Sequence, residues 1–214
     1  MRIDERVFEA IACGEVKNYS AGLNFICPAI DLSARKLRQK DRVSAKEYKK
    51  FLREYVWIFQ YFTNPGFNLK DFKFPANHLS KTSRFEAESA DFADLLYHAY
   101  RCSLAHGDPI DGAFEFSESQ DQSADRITKI KLDGSIIQFP PTFYWSAIAL
   151  VVFCRSNNDV ETNSQYYLSW DAHRFPVDFC WGAEDRLRRF FKTRPVLTVE
   201  IDTANEYPRT IIAS

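Results

Sequence analysis

Glycine is scarce in this chain, with 7 among 214 residues. Phosphate-cradling loops and repeat arrays lean on glycine for close backbone approach and tight turns, so neither is expected. Metal-site spacing is missing as well. The five cysteines (Cys13, Cys27, Cys102, Cys154, Cys180) form no CxxC pair, and the four histidines (His78, His98, His106, His173) form no HExxH or HxH. An odd number of widely spaced cysteines reads as reduced, mostly buried thiols, with no disulfide framework and no zinc ribbon. No metal and no cofactor are expected. Long apolar runs are absent too. The longest, Ser146–Cys154, ends at Arg155, far short of the roughly 20 residues that cross a bilayer. The N-terminus carries Asp4, Glu5 and Glu9 with no apolar signal core after them. The expectation is a cytoplasmic protein with no membrane partner. A formal charge of −1 excludes a broadly cationic nucleic-acid coat and leaves room for local basic patches.

Aromatic residues are abundant: 19 Phe, 10 Tyr and 4 Trp. With 45% hydrophobic and 27% charged residues, the composition is that of a well-packed globular chain. Its length fits one large domain or two small ones.

The pattern changes near residue 110. Before it, apolar residues recur at helical spacing. A helix is predicted from Glu5 to about Val16. Leu23, Ile26, Ile30, Ala34 and Leu37 share one face of a helix over 20–39, which Pro28 either kinks or divides. Tyr48, Phe51, Leu52, Tyr55, Val56 and Phe59 form the buried face of another, started by Ser44 and Glu47 as a capping box and stopped by Asn64-Pro65-Gly66. A fourth runs from about Glu86 to Ala105 and is closed by Gly107 and Pro109. After residue 110 strands enter. Ala113–Phe116 alternates, and Arg126–Lys131 and Ser135–Phe139 flank Leu132-Asp133-Gly134 as a hairpin, with Asp-Gly as its turn signal. Thr142–Arg155 is an apolar helix buried on several sides, 156–159 a polar loop, Ala183–Thr193 a short basic helix, and Val196–Ile201 a last strand. Ser117–Asp125 reads as a polar loop. The expected class is mainly α (α+β): a helical bundle over 1–110, and an α+β elaboration over 111–214 packed on it or continuous with it.

One segment carries chemistry. Leu95–Pro109 (LLYHAYRCSLAHGDP) puts Arg101 and His106 at the C-terminal end of an amphipathic helix, behind Tyr97 and Tyr100 and before a helix-stopping glycine. This R-x4-H element resembles the HEPN superfamily, over roughly residues 5–110. The resemblance implies a bundle of four or five helices and a metal-independent endoribonuclease acting through the RNA 2′-hydroxyl. His106 would move the proton, since imidazole titrates near neutrality. Arg101 would hold the phosphate and stabilise charge on its oxygens. Five residues on an ideal helix turn about 500°, so the two side chains sit about 140° apart. In the family two such helices meet across a dimer axis, which implies a homodimer with a composite cleft. It also implies RNA as partner, an antitoxin protein as a second one, and a place in toxin–antitoxin or antiviral defence systems. Many members carry Asn, Asp or His after the arginine; here Cys102 stands there.

Supporting positions follow. Asp31 lies on a helix expected beside the Arg101 helix, either orienting Arg101 or His106 or standing as a surface carboxylate. Tyr97 frames the motif. Ser103 is a phosphate donor or bonds back to a helix carbonyl. The densest basic run, Arg35 to Arg53, offers Arg35, Arg38, Lys46 and Lys49 as phosphate contacts, or forms a solvated corner. Arg186, Arg188, Arg189, Lys192 and Arg194 flank Phe190 and Phe191, which pack inward or stack on bases. Trp145, Trp170 and Trp181 read as core. Arginine and histidine near a helix C-terminus also interact with the helix dipole, by about 0.3–1 kcal/mol. The alternative is therefore a non-catalytic HEPN-like module binding a nucleotide, RNA or protein.

Overall fold

The most apolar segment of the chain, Pro141–Phe153, is a helix with no polar face, and the other long helices are built around it. The computed structural model describes residues 1–63, 69–71, 73–75, 89–97, 114–116, 131–133, 136–170 and 172–192. The fold is mainly α, with short strands at its margins.

Helix α1 (Ile3–Glu15) carries Asp4 and Glu5 in its first turn, where acidic groups meet the positive end of the helix dipole. Lys17 takes a left-handed φ of 59°, and Asn18 accepts from the Ala21 N–H at 3.3 Å to start α2 (Tyr19–Arg38). Pro28 sits inside α2 without dividing it. It deprives only the carbonyl of Asn24 of a helical partner, and Asn24 is exposed to water. Helix α3 (Ala45–Thr63) opens with the predicted box: the Ser44 N–H donates to Glu47 at 2.9 Å, and the Glu47 N–H to Ser44 Oγ at 3.3 Å. All six residues of its predicted apolar face are buried.

Strands β1 (Phe74–Pro75) and β2 (Ser89–Ala90) pair antiparallel. Helix α4 (Phe92–Leu96) follows, so the helix predicted from Glu86 begins later. The reason is local: Ser89 and Ala90 are extended, and the true start signal is Asp91, which accepts from the Asp94 N–H at 2.9 Å in a capping box. Strand β3 (Phe114–Phe116) runs parallel to β5 (Ile136–Phe139), which pairs antiparallel with β4 (Lys131–Asp133). The register Asp133↔Ile136 puts Leu132 and Asp133, expected in the turn, into the strand, because their backbones pair with Ile137 and Ile136; residues 126–130 of the predicted strand lie outside the described residues. Helix α5 is Pro141–Phe153. A hairpin that the sequence did not announce, β6 (Tyr167–Trp170) with β7 (His173–Pro176), leads to α6 (Glu184–Lys192).

Helix α5 packs on α1, α2 and α3, and described residues on both sides of position 110 share one core. A helix apolar all round has to be enclosed. Its interior serine confirms the rule by being satisfied: Ser146 Oγ lies 2.7 Å from the Thr142 carbonyl and 2.8 Å from Thr63 Oγ1. Tyr144 reaches across to donate to the Ala10 carbonyl, and α2 admits its phenol because residue 22 is glycine. A Cβ there would collide with the phenol oxygen. Among the described residues no helix is long and apolar enough to cross a membrane. Cys13, Cys27, Cys154 and Cys180 form no disulfide among the described residues.

Candidate functional site

Arg101, His106 and Ser103 lie outside the described residues, as do Cys102 and the predicted strand Val196–Ile201. What the structure does describe is the turn that leads to them, and it is firmly seated. Phe92 and Leu95 of α4 are fully buried. The Phe92 ring meets Phe59 edge-on at 4.6 Å and Phe143 at 5.5 Å. On the outer side, two α3 cations grip the capping carboxylates. Arg53 donates to Asp91 at 2.6 Å and to Asp94 at 3.2 Å, and Lys49 lies 2.9 Å from Asp94. Tyr97, the last described residue before the motif, is half-buried, edge-on to Tyr48 at 5.8 Å with Lys49 over its face at 5.5 Å. Burial alone would raise the Asp91 pKa. The Arg53 guanidinium and the hydrogen bonds from Asp94 outweigh it and hold the carboxyl below the usual range.

Asp31 is buried and ion-paired with Arg35 one helical turn on, which corrects the surface-carboxylate reading. Burial selects the pairing, since an unpaired carboxylate inside the fold would cost several kcal/mol, on the order given by buried-ion penalties. The basic run is largely neutralised. Arg38 forks onto both Glu54 oxygens at 2.7 Å, Lys36 meets Asp159, Lys40 meets Glu47, and Lys49 and Arg53 hold α4. Arg42, Lys46 and Lys50 are exposed and make no ion pair among the described residues. Counting charge within 35–53 missed this, because Asp31, Glu54, Asp91, Asp94 and Asp159 arrive from outside the run.

The second basic cluster is an amphipathic helix packed inward. Phe191 is buried and stacks on Tyr61 at 4.1 Å. Phe190 meets Phe175 at 5.2 Å. Arg188 lies over Trp57 at 4.1 Å and bonds Glu184 at 2.9 Å. The other Glu184 oxygen accepts from the Tyr55 hydroxyl at 2.7 Å in the interior. Cys154 adjoins it, with its thiol pushed up mainly by burial, so it is a poor nucleophile. The predicted polar loop contributes here too. Asn157 is fully buried and donates to Ser33 Oγ and the Val151 carbonyl at 2.9 and 2.8 Å. Nothing in the sequence tied Tyr55 to Glu184, 129 positions away. Among the described residues no three His, Cys, Asp or Glu side chains are grouped to hold a metal ion.

Residues 2–207 match the family description Rv1289. The chain belongs to the Rv1289 family. Uncharacterized protein Mb1320 of Mycobacterium bovis and uncharacterized protein Rv1289 of Mycobacterium tuberculosis are each 26% identical to it over 200 residues, covering 94% of this chain and 92% of theirs. No solved structure matches. The Rv1289 match, like the core, takes in both halves of the chain.

Proposed function

We propose that this Rv1289-family chain is a metal-independent endoribonuclease of HEPN type, acting in the cytoplasm as a homodimer and held in check by an antitoxin protein. The observation that carries the reading is the R-x4-H element, Arg101 to His106, four residues beyond a turn locked onto α3 by Arg53 and Lys49. A phosphate-binding guanidinium and an acid–base imidazole gain rate only when their helix is held still. RNA approach falls to Lys46 among the four cations first considered, joined by Arg42 and Lys50. Arg35, Arg38 and Lys49 are engaged by carboxylates. That same neutralisation favours the second reading, a non-catalytic HEPN-like binding module.

Incubation of the dimer with RNA in EDTA tests the two. Cleavage should persist and leave 2′,3′-cyclic phosphate ends. His106→Ala should lower the rate by about 10²–10⁴-fold with RNA affinity nearly unchanged. Arg101→Ala should weaken both, and Arg101→Lys should restore them only partly, because an ammonium lacks the guanidinium fork. Wild-type cleavage by both alanine variants removes the site assignment. RNA binding without cleavage leaves the module.

A further inference from the structure

A cleft of about 360 Å3 opens where the end of α1, the end of α3, the first turn of α5 and strand β6 meet. Ile11, Phe62, Trp145 and Tyr166 line it. Phe62, Trp145 and Tyr166 keep part of their surface uncovered. Trp145 is rigidly seated, because its ring lies over Gly14, where a Cβ would come within 2.8 Å of it. Glu15, Thr142, Gln165 and Ser169 add polar side chains to these walls. Glu15 is exposed and makes no ion pair among the described residues. Thr142 Oγ1 is buried with no hydrogen-bond partner.

The volume is at the small end of ligand sites, and aromatic walls with a few polar groups are their usual make-up. Aromatic walls accept a flat ring. A carboxylate accepts hydrogen bonds and donates none, so the ring should present an N–H edge to Glu15. Among the four RNA bases, guanine alone sets two N–H donors side by side, N1–H and N2–H2, the fork that a carboxylate accepts in bidentate fashion.

We infer that this cleft takes an unpaired guanine base, with its N1–H and N2–H2 edge on Glu15, so that RNA is held at a guanosine; the RNA context, though not the base site, rests on the ribonuclease reading. Calorimetric titration of the full chain with the four nucleosides tests it. Guanosine should bind at least about tenfold more tightly than adenosine, cytidine or uridine. Inosine, which lacks the N2 amino group, should fall between. Glu15→Gln should weaken guanosine about tenfold, the scale of one charged hydrogen bond, without moving the melting temperature, since Glu15 is exposed. Equal binding of all four nucleosides, or unchanged guanosine affinity in Glu15→Gln, overturns the inference. Mapping of RNA cuts separates the two readings. Cleavage indifferent to guanine overturns the base site and leaves the ribonuclease. Selective guanosine binding by a chain that cuts no RNA supports the base site and removes the ribonuclease.

Discussion

Helix α3 is fastened by two polar clusters of opposite character. Arg53 reaches out to Asp91 and Asp94, and its side chain is 46% exposed. Two residues on, Tyr55 reaches inward to Glu184, whose side chain is 11% exposed and whose other oxygen is held by Arg188. Between them Glu54 points to Arg38 of α2. Three consecutive residues, each turned about 100° from the last, thus join α3 to three neighbours. Water and salt screen the outer cluster, so its two geometrically good ion pairs are worth little. In the inner cluster Tyr55 and Glu184 are enclosed, while Arg188 keeps 48% of its side chain exposed. Losing Tyr55 or Glu184 strands the other, so the cost of that pair is set by desolvation rather than by attraction.

The sharpest way to break this contrast is Glu184→Ala, which strands the Tyr55 hydroxyl and half-frees Arg188. It should cost about 3 kcal/mol of unfolding free energy by denaturant titration, and the loss should survive high salt. Tyr55→Phe removes only the donor and should cost about 1.5 kcal/mol. It also tests a pH dependence. Burial raises the Tyr55 pKa well above its ordinary value. The folded state therefore keeps a proton that the unfolded chain releases near pH 10, and stability is lost as pH rises from there. In Tyr55→Phe the alkaline decline in melting temperature should be shallower than in the wild type.

Arg53→Ala should cost less than about 1 kcal/mol, and most of that difference should vanish near 1 M salt, where screening acts over about 3 Å. Its acid behaviour is the mirror image. The Asp91 pKa is depressed in the fold, so its contribution is complete above the unfolded carboxyl pKa and is lost as pH falls through the folded one. Arg53→Ala should therefore flatten the acid limb of the melting curve and leave the alkaline limb alone. A larger salt effect in Glu184→Ala than in Arg53→Ala would invert the comparison.

The helices were legible because each buries a stripe at helical spacing. Leu23, Ile26, Ile30 and Ala34 are all buried, and so is the whole predicted face of α3. The uniform apolarity of Ser146–Phe153 likewise announced an enclosed helix. The β6–β7 hairpin was not legible. Tyr167–Trp170 and His173–Pro176 are mostly exposed and lack alternation, and their inward residues, Leu168 and Phe175, have meaning only against α3 and α5. The candidate site divides the same way. The sequence named the Arg101–His106 motif, which lies outside the described residues, and placed the start of the helix before it at about Glu86, six residues ahead of Phe92.

What the sequence determined by itself is local: the Ser44–Glu47 capping box, the apolar faces and the R-x4-H element. Each is set by neighbours within a few positions, through backbone hydrogen bonds and side-chain period. Tertiary structure alone decided which charges stay free. Lys46 remains open to solvent while Arg38 and Lys49 are engaged, and Tyr55 finds Glu184 across 129 positions. Coulomb attraction and desolvation act through space, and the distances that govern them exist only after the apolar faces have packed.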